Sequence, residues 1–236
     1  MSSILPLRLD DVSYAAGGRT IIERMSLALE AGASTLILGA NGAGKSVLMR
    51  LMHGLLAPSS GRVAWAGEGA RRRQAMVFQR PVMLRRSALA NVVYALKVAG
   101  VASADRERLA REALAEVGLL AAAGRPARVL SSGEQQRLAL ARAWALHPEV
   151  LFLDEPTASL DPGATHEIEN IIRAFDAAGT KIVMSTHSLG QARRLGDEVI
   201  YLHQGRVLER APIGLFFPHP ATAEAAAFVK GELPWT

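Results

Sequence analysis

The sequence predicts an α/β fold on three observations. An apolar run ends in a glycine-rich turn and passes directly into a helix-like segment over 36–49. Further short apolar runs alternate with turns, and from 81 to about 146 apolar residues recur at helical spacing. Short strands alternating with turns and helices favour a layered α/β core over a helical bundle. The chain has 236 residues, half of them hydrophobic, enough to bury a sizeable core. Its longest apolar runs fall well short of the roughly 20 residues that a bilayer-spanning helix needs, so it reads as soluble. The N-terminus lacks a basic segment followed by an apolar core, which predicts no secretory signal and a cytosolic address. Cysteine is absent, which excludes disulfides and thiolate metal sites.

Taken in order, residues 7–12 and 21–29 are β-prone stretches separated by the turn-like Ala15-Ala16-Gly17-Gly18, predicting a hairpin or small antiparallel sheet. The run at 35–38 reads as a strand and 47–56 as an apolar helix broken by Pro58-Ser59-Ser60-Gly61. Strands are expected at 62–66 and 75–79. In the helical block, 87–98 and 103–117 carry helical periodicity, with Ser103 as a start and Gly118 as an end. The apolar runs at 149–153 and 181–185 resemble strands of a parallel sheet covered on both faces. Residues 198–203 and 206–209 flank Gln204-Gly205 as a last hairpin, and 221–229 has helical potential.

The stretch Gly39-Ala40-Asn41-Gly42-Ala43-Gly44-Lys45-Ser46 fits G-x-x-x-x-G-K-[ST] between a strand and a helix. Such a loop turns its backbone N–H groups onto phosphate oxygens, and the helix N-terminus adds partial positive charge. Glycine is needed because side chains would keep the backbone from closing around the anion. Lys45 is then expected on the β- and γ-phosphates and Ser46 as a ligand of Mg²⁺, with Val47 following in the helix. A nucleotide is the expected ligand.

Three strand ends carry polar residues: Gln79, Asp154-Glu155 and Thr186-His187. Carboxylates at the C-terminal end of a parallel strand lie in the crevice where open α/β sheets bind ligands. Asp154 suits a Mg²⁺ shell, and Glu155, one residue beyond the strand, suits a base acting on water. His187 reads either as a structural hydrogen-bonding residue or as a third polar tip in that crevice. Ser131-Ser132-Gly133-Glu134 reads either as an ordinary N-cap with an acidic first turn or as N–H groups and hydroxyls offered to an external phosphate. Tyr14 is a rim residue or, if the fold brings it over a nucleotide, a ring for stacking. The net charge of +5 and the run Arg71-Arg72-Arg73 raise a nucleic-acid or anionic-lipid partner. The run has no neighbouring aromatic residue to stack on bases, which favours a solvated basic face.

In combination and order, these motifs resemble the nucleotide-binding subunit of ATP-binding cassette (ABC) transporters, over about residues 7–208. The resemblance implies one nucleotide-binding domain over 1–236: a P-loop nucleotidase core with a small antiparallel β-subdomain (1–80 and 146–236) and an inserted helical subdomain (81–145). It implies that Tyr14 stacks on adenine, that Gly39 to Val47 cradle the phosphates, and that Gln79 touches Mg²⁺ and the attacking water. It gives Asp154 to Mg²⁺, the role of base to Glu155, a γ-phosphate contact to His187, and a loop across a dimer interface to Ser159-Leu160-Asp161. Leu130 to Glu134 stands where the family usually has Leu-Ser-Gly-Gly-Gln, the signature that closes on the nucleotide of a second copy; Ser132 adds a Cβ and a hydroxyl in place of glycine.

The implied activity is ATP hydrolysis with Mg²⁺ by an ATP-dependent homodimer. It would sit peripherally on the cytoplasmic face of the inner (plasma) membrane. Integral membrane permease subunits would be its partners, with an extracytoplasmic substrate-binding protein reached indirectly and no nucleic acid. The stretches 78–87 and 227–233 look most like bacterial oxyanion importers, tungstate first, then phosphate or molybdate. Rival expectations are an ATPase of another importer or exporter, and an ABC-type ATPase acting on DNA or the ribosome. The latter typically carries a long coiled-coil insertion or a second cassette, and this sequence shows neither. A small-molecule kinase would leave the motif at 130–134 without a task.

Overall fold

The computed structural model describes residues 3–232; residues 1–2 and 233–236, which include Leu233 and Pro234 of the tail, lie outside that range. In chain order the principal elements are β1 (Leu7–Ala16), β2 (Arg19–Leu29), β3 (Thr35–Leu38), α1 (Lys45–His53), β4 (Ser60–Trp65), β5 (Gln74–Val77), α2 (Ala88–Val98), α3 (Ser103–Glu116) and α4 (Ser132–Trp144). There follow β6 (Val150–Asp154), α5 (Pro162–Ala177), β7 (Lys181–Ser185), α6 (Leu189–Leu195), β8 (Glu198–His203), β9 (Arg206–Pro212), α7 (Ile213–Phe216) and α8 (Ala223–Lys230). The chain divides into two compact units, one formed by the residues up to Arg71 with those from Lys181 onward, the other by Arg72–Thr180.

In the first unit β1 pairs antiparallel with β2 and β4, giving the order β2-β1-β4. The strands reach closer to the turn than 7–12 and 21–29, because Gly17 and Gly18 take φ of 58° and 76° and reverse the chain in two residues. A second, mostly parallel layer runs β7-β3-β8, with β9 antiparallel on β8. All four residues of β3 are buried, as a continuous apolar run between two parallel neighbours requires. Helix α1 stops at His53 rather than 56, since Gly54 turns left-handed (φ 81°) and donates its N–H to Leu51 O at 3.1 Å. Near the C-terminal end, Thr222 caps α8, and the buried Tyr201 ring packs between Phe216 and Phe228.

In the second unit β5 and β6 pair in parallel from Gln74↔Val150 to Val77↔Leu153. Ser87 caps α2, accepting from Ala90 N–H at 3.2 Å. Helix α3 starts at Ser103, as the sequence predicts, behind Ala102, which makes no side-chain cap bond. The sequence reading assigns no helix to 162–177, yet α5 is there, with Asp161 as its N-cap, Pro162 in its first turn and Ile168, Ile171, Ile172 and Phe175 buried. No helix among the described residues is long and apolar enough to cross a membrane.

Candidate functional site

The glycine-rich loop leaves β3 at Gly39, whose φ is 152° and where an added Cβ would run into the carbonyl oxygen of Leu202 on β8. Only glycine passes there without moving that strand. Gly42 and Gly44 follow with φ of 79° and 102°, and a Cβ on Gly44 would lie 2.9 Å from Ile22 Cδ1. The loop is braced from behind, because Gly205 donates to Ala43 O at 3.0 Å and accepts from Glu23 N–H at 3.1 Å. Lys45 is buried, and its Nζ donates to Gly39 O at 2.9 Å and Ala40 O at 3.2 Å, so the ammonium lies back over the loop it follows. Gly44, the N-cap of α1, has no side chain to close the helix end, and the first helical bond runs from Leu48 N–H to Gly44 O at 2.8 Å. The N–H groups of residues 45–47 therefore point out of the helix end toward the loop, a geometry suited to an anion.

Two more expected residues share this unit. Tyr14 is paired with Ile22 across β1 and β2, and Ile22 is the residue that crowds Gly44, so the strand pair brings the tyrosine to the side of the loop. His187 follows β7, which runs beside β3 with Ile37 opposite Ser185, so the loop and the histidine leave the sheet at the same end. Thr186 and Ser188 hold the turn around it: Thr186 Oγ1 accepts from Ser188 N–H at 3.1 Å and donates to Gln191 Oε1 at 2.8 Å.

In the second unit the register of β5 with β6 sets Gln79 level with Glu155, each two residues beyond the last paired row. Asp154 is the last residue of β6 and is buried; Glu155 is half-buried with φ 45°. A left-handed backbone is rare for a residue with a Cβ. It ends the strand's alternation at Asp154, and the turn, rather than the pleat, aims Glu155.

Ser131 caps α4 in a complete capping box: its Oγ accepts from Glu134 N–H at 3.2 Å and its N–H donates to Glu134 Oε2 at 2.8 Å. Arg125 Nη1 donates to Glu134 Oε1 at 2.8 Å. The Ser131 N–H bond holds the Glu134 carboxyl below the ordinary carboxylate range; burial opposes this and Arg125 reinforces it. Ser132 is exposed with ordinary helical backbone, so its Cβ costs no strain. Gly133 is tightly packed, since a Cβ there would meet Ala164 Cβ at 2.9 Å. Ser131, Ser132, Gly133, Glu134 and Asp161 line one open concavity of about 370 Å³. Asp161 also accepts from Ala164 N–H at 2.9 Å as the cap of α5.

Sequence reasoning missed the residues that tie the loop after β5 to α2, to α4 and to the turn that precedes α4. Gln136, buried, donates to Phe78 O at 3.4 Å, Arg142 to Val82 O at 2.8 Å and Arg128 to Met83 O at 3.2 Å. Asn91, fully buried, accepts from Leu84 N–H at 3.1 Å and donates to Ser87 O at 2.9 Å. The available signal was a set of polar residues on helices whose neighbours are apolar.

Residues 22–158 match the family model described as "ABC transporter". The chain is 39% identical to the methionine import ATP-binding protein MetN of Caulobacter vibrioides over 95% of its own length and 72% of that protein's. It is 36% identical to the phosphate import ATP-binding protein PstB 2 of Natronomonas pharaonis, covering 96% and 87%. It is 37% identical to the tungstate uptake system ATP-binding protein TupC of Peptoclostridium acidaminophilum, covering 87% and 98%. Among solved structures, an ATP-binding subunit of an ABC transporter superposes with a TM-score of 0.82 at 26% identity, covering 96% of this chain and all of that one. A dimeric ATP-binding cassette in a post-hydrolysis state with ADP and inorganic phosphate superposes with a TM-score of 0.78 at 27% identity, covering 88% and 98%.

Proposed function

This chain belongs to the ABC transporter family as an ATP-hydrolysing subunit of the importer type, and from that premise we propose that two copies of it enclose two magnesium–ATP molecules and drive uptake of tungstate or a related oxyanion. The observation that carries the nucleotide reading is the buried Lys45 ammonium, held by Gly39 O and Ala40 O at the mouth of a glycine-started helix. The loop takes the β- and γ-phosphates through backbone N–H groups, Lys45 adds a compact charge, and Tyr14 stacks on the base. Ser46, Gln79 and Asp154 offer a hydroxyl, an amide oxygen and a carboxylate, the hard oxygen donors that Mg²⁺ prefers. When bound, the ion neutralises charge on the phosphates.

Glu155 accepts a proton from the attacking water as its oxygen bonds to the γ-phosphorus. The bond to the bridging oxygen breaks, ADP departs, and His187 donates to the transferring phosphoryl group. Ser131, Ser132, Gly133 and Glu134, with Asp161, form the surface presented to the nucleotide of the other copy. ATP thus draws the copies together, hydrolysis parts them, and the Gln79 loop passes the motion to a membrane permease fed by a substrate-binding protein. The subunit works at the cytoplasmic face of the inner (plasma) membrane. The tungstate reading is supported by the resemblance of residues 78–87 and 227–233 to oxyanion importers and by the 37% identity to the tungstate relative, of which this chain covers 98%. The similarity to the methionine import protein favours methionine as the second reading.

Glu155→Gln is expected to keep ATP affinity, lose at least 100-fold in phosphate release and sediment as a dimer with ATP and Mg²⁺. Turnover like the parent protein's removes Glu155 from the role of base, and a monomer at saturating ATP removes the shared site. Cells carrying Glu155→Gln should lose tungstate uptake; loss of methionine uptake alone selects the second reading.

A further inference from the structure

Glu134 sets an ionised carboxylate at the start of α4, where the shared-site reading puts the γ-phosphate of the other copy's nucleotide. Two anions converging on one helix end repel, and the repulsion grows as closure removes water. The structure shows how the carboxylate is managed. One oxygen is folded onto Ser131 N–H and the other is taken by Arg125 Nη1, both at 2.8 Å. Arg125 is set in place by its backbone, whose N–H donates to Ala122 O and whose carbonyl accepts from Ala88 N–H, each at 2.9 Å. Its side chain is half exposed where Glu134's is 21% exposed, so the guanidinium covers the carboxylate from the solvent side.

We infer that Arg125 is a positioning residue for nucleotide-driven closure: it cancels the charge of Glu134 and pins that carboxylate against Ser131, so that phosphate can approach the α4 end. The inference rests on the shared-site reading and assigns a role that the motif itself does not contain. Because the pair occurs once per copy, each dimer holds two, and their effects on closure multiply.

The test is sedimentation velocity with saturating ATP and Mg²⁺ in the Glu155→Gln background. Arg125→Ala is expected to raise the dimer dissociation constant about tenfold, a few-fold from each pair. Adding Glu134→Gln should restore most of it, since glutamine still completes the capping box without charge. Arg125→Lys, which keeps the charge and loses the fork, should fall between. Thermal unfolding is expected to change little, because the backbone bonds of residue 125 remain. Unchanged dimerisation in Arg125→Ala overturns the inference, as does a loss that Glu134→Gln fails to rescue. If Glu155→Gln with Arg125 intact stays monomeric, the shared-site reading itself fails and takes the inference with it.

Discussion

Two helix starts in this molecule face the same physical demand and meet it in opposite ways. Helix α1 begins at Gly44, which has no capping side chain, behind a loop where three glycines adopt positive φ. Helix α4 begins at Ser131, whose hydroxyl and N–H are both engaged with Glu134. The first end is made from backbone and keeps its N–H groups directed outward; the second is satisfied by its own side chains, with the Glu134 carboxylate paired to Arg125. An uncapped end with outward N–H groups is suited to holding an anion, whereas a self-capped end is stable without one. The difference explains why glycine is required at 39 and 44, while Ser132 is accommodated at the other helix without strain.

Substitutions should separate the two ends, beginning with the largest effect. Lys45→Ala is expected to lower ATP affinity at least 100-fold by titration calorimetry, about 2.7 kcal/mol, with the unfolding midpoint of the nucleotide-free protein changing far less. Retained affinity would mean that the backbone alone holds the phosphates. Gly44→Ala meets both a φ of 102° and the Ile22 side chain, so a loss of about 1–3 kcal/mol in stability is expected in chemical denaturation, together with weaker nucleotide binding.

At the other end Ser131→Ala should cost about 1 kcal/mol, the usual value of a lost cap, and leave binding of ATP to the single copy unchanged. An equal loss of monomer affinity would erase the contrast. The smallest effect is acid sensitivity. Glu134 titrates below its ordinary value near 4.5, so its contribution is complete above that pH and disappears as pH falls through the depressed value. Thermal unfolding of Glu134→Gln should therefore lose less between pH 6 and pH 3 than the parent protein does (about a degree or two).

The glycine-rich loop was legible because its geometry is backbone geometry, written in the spacing of Gly39, Gly44, Lys45 and Ser46. The strand end at Asp154 was legible because a buried parallel strand leaves a continuous apolar run that stops at its first polar residue, whereas β5 ends at Val77, two residues short of Gln79. Other features had no such local record. Tyr14 comes to the loop through a strand pairing with Ile22, a non-local match. The left-handed turn at Glu155 is stabilised by what surrounds it, since no glycine announces it. Helix α5 did carry a local signal, Asp161-Pro162 followed by apolar residues at helical spacing, and its absence from the sequence reading is a matter of pattern rather than of physics.

The amino-acid sequence by itself determined the α/β class, the glycine loop with its lysine, and the serine cap of α4, because each depends on neighbours within a few residues. Tertiary structure alone decided that Leu202 would forbid a side chain at Gly39, that Gln136 and Arg142 would anchor the loop after β5, and that Arg125 would cover Glu134. Those relations depend on how segments far apart in sequence, or turned by a cap, approach within hydrogen-bonding distance. Such approach is fixed by packing, which no local spacing encodes.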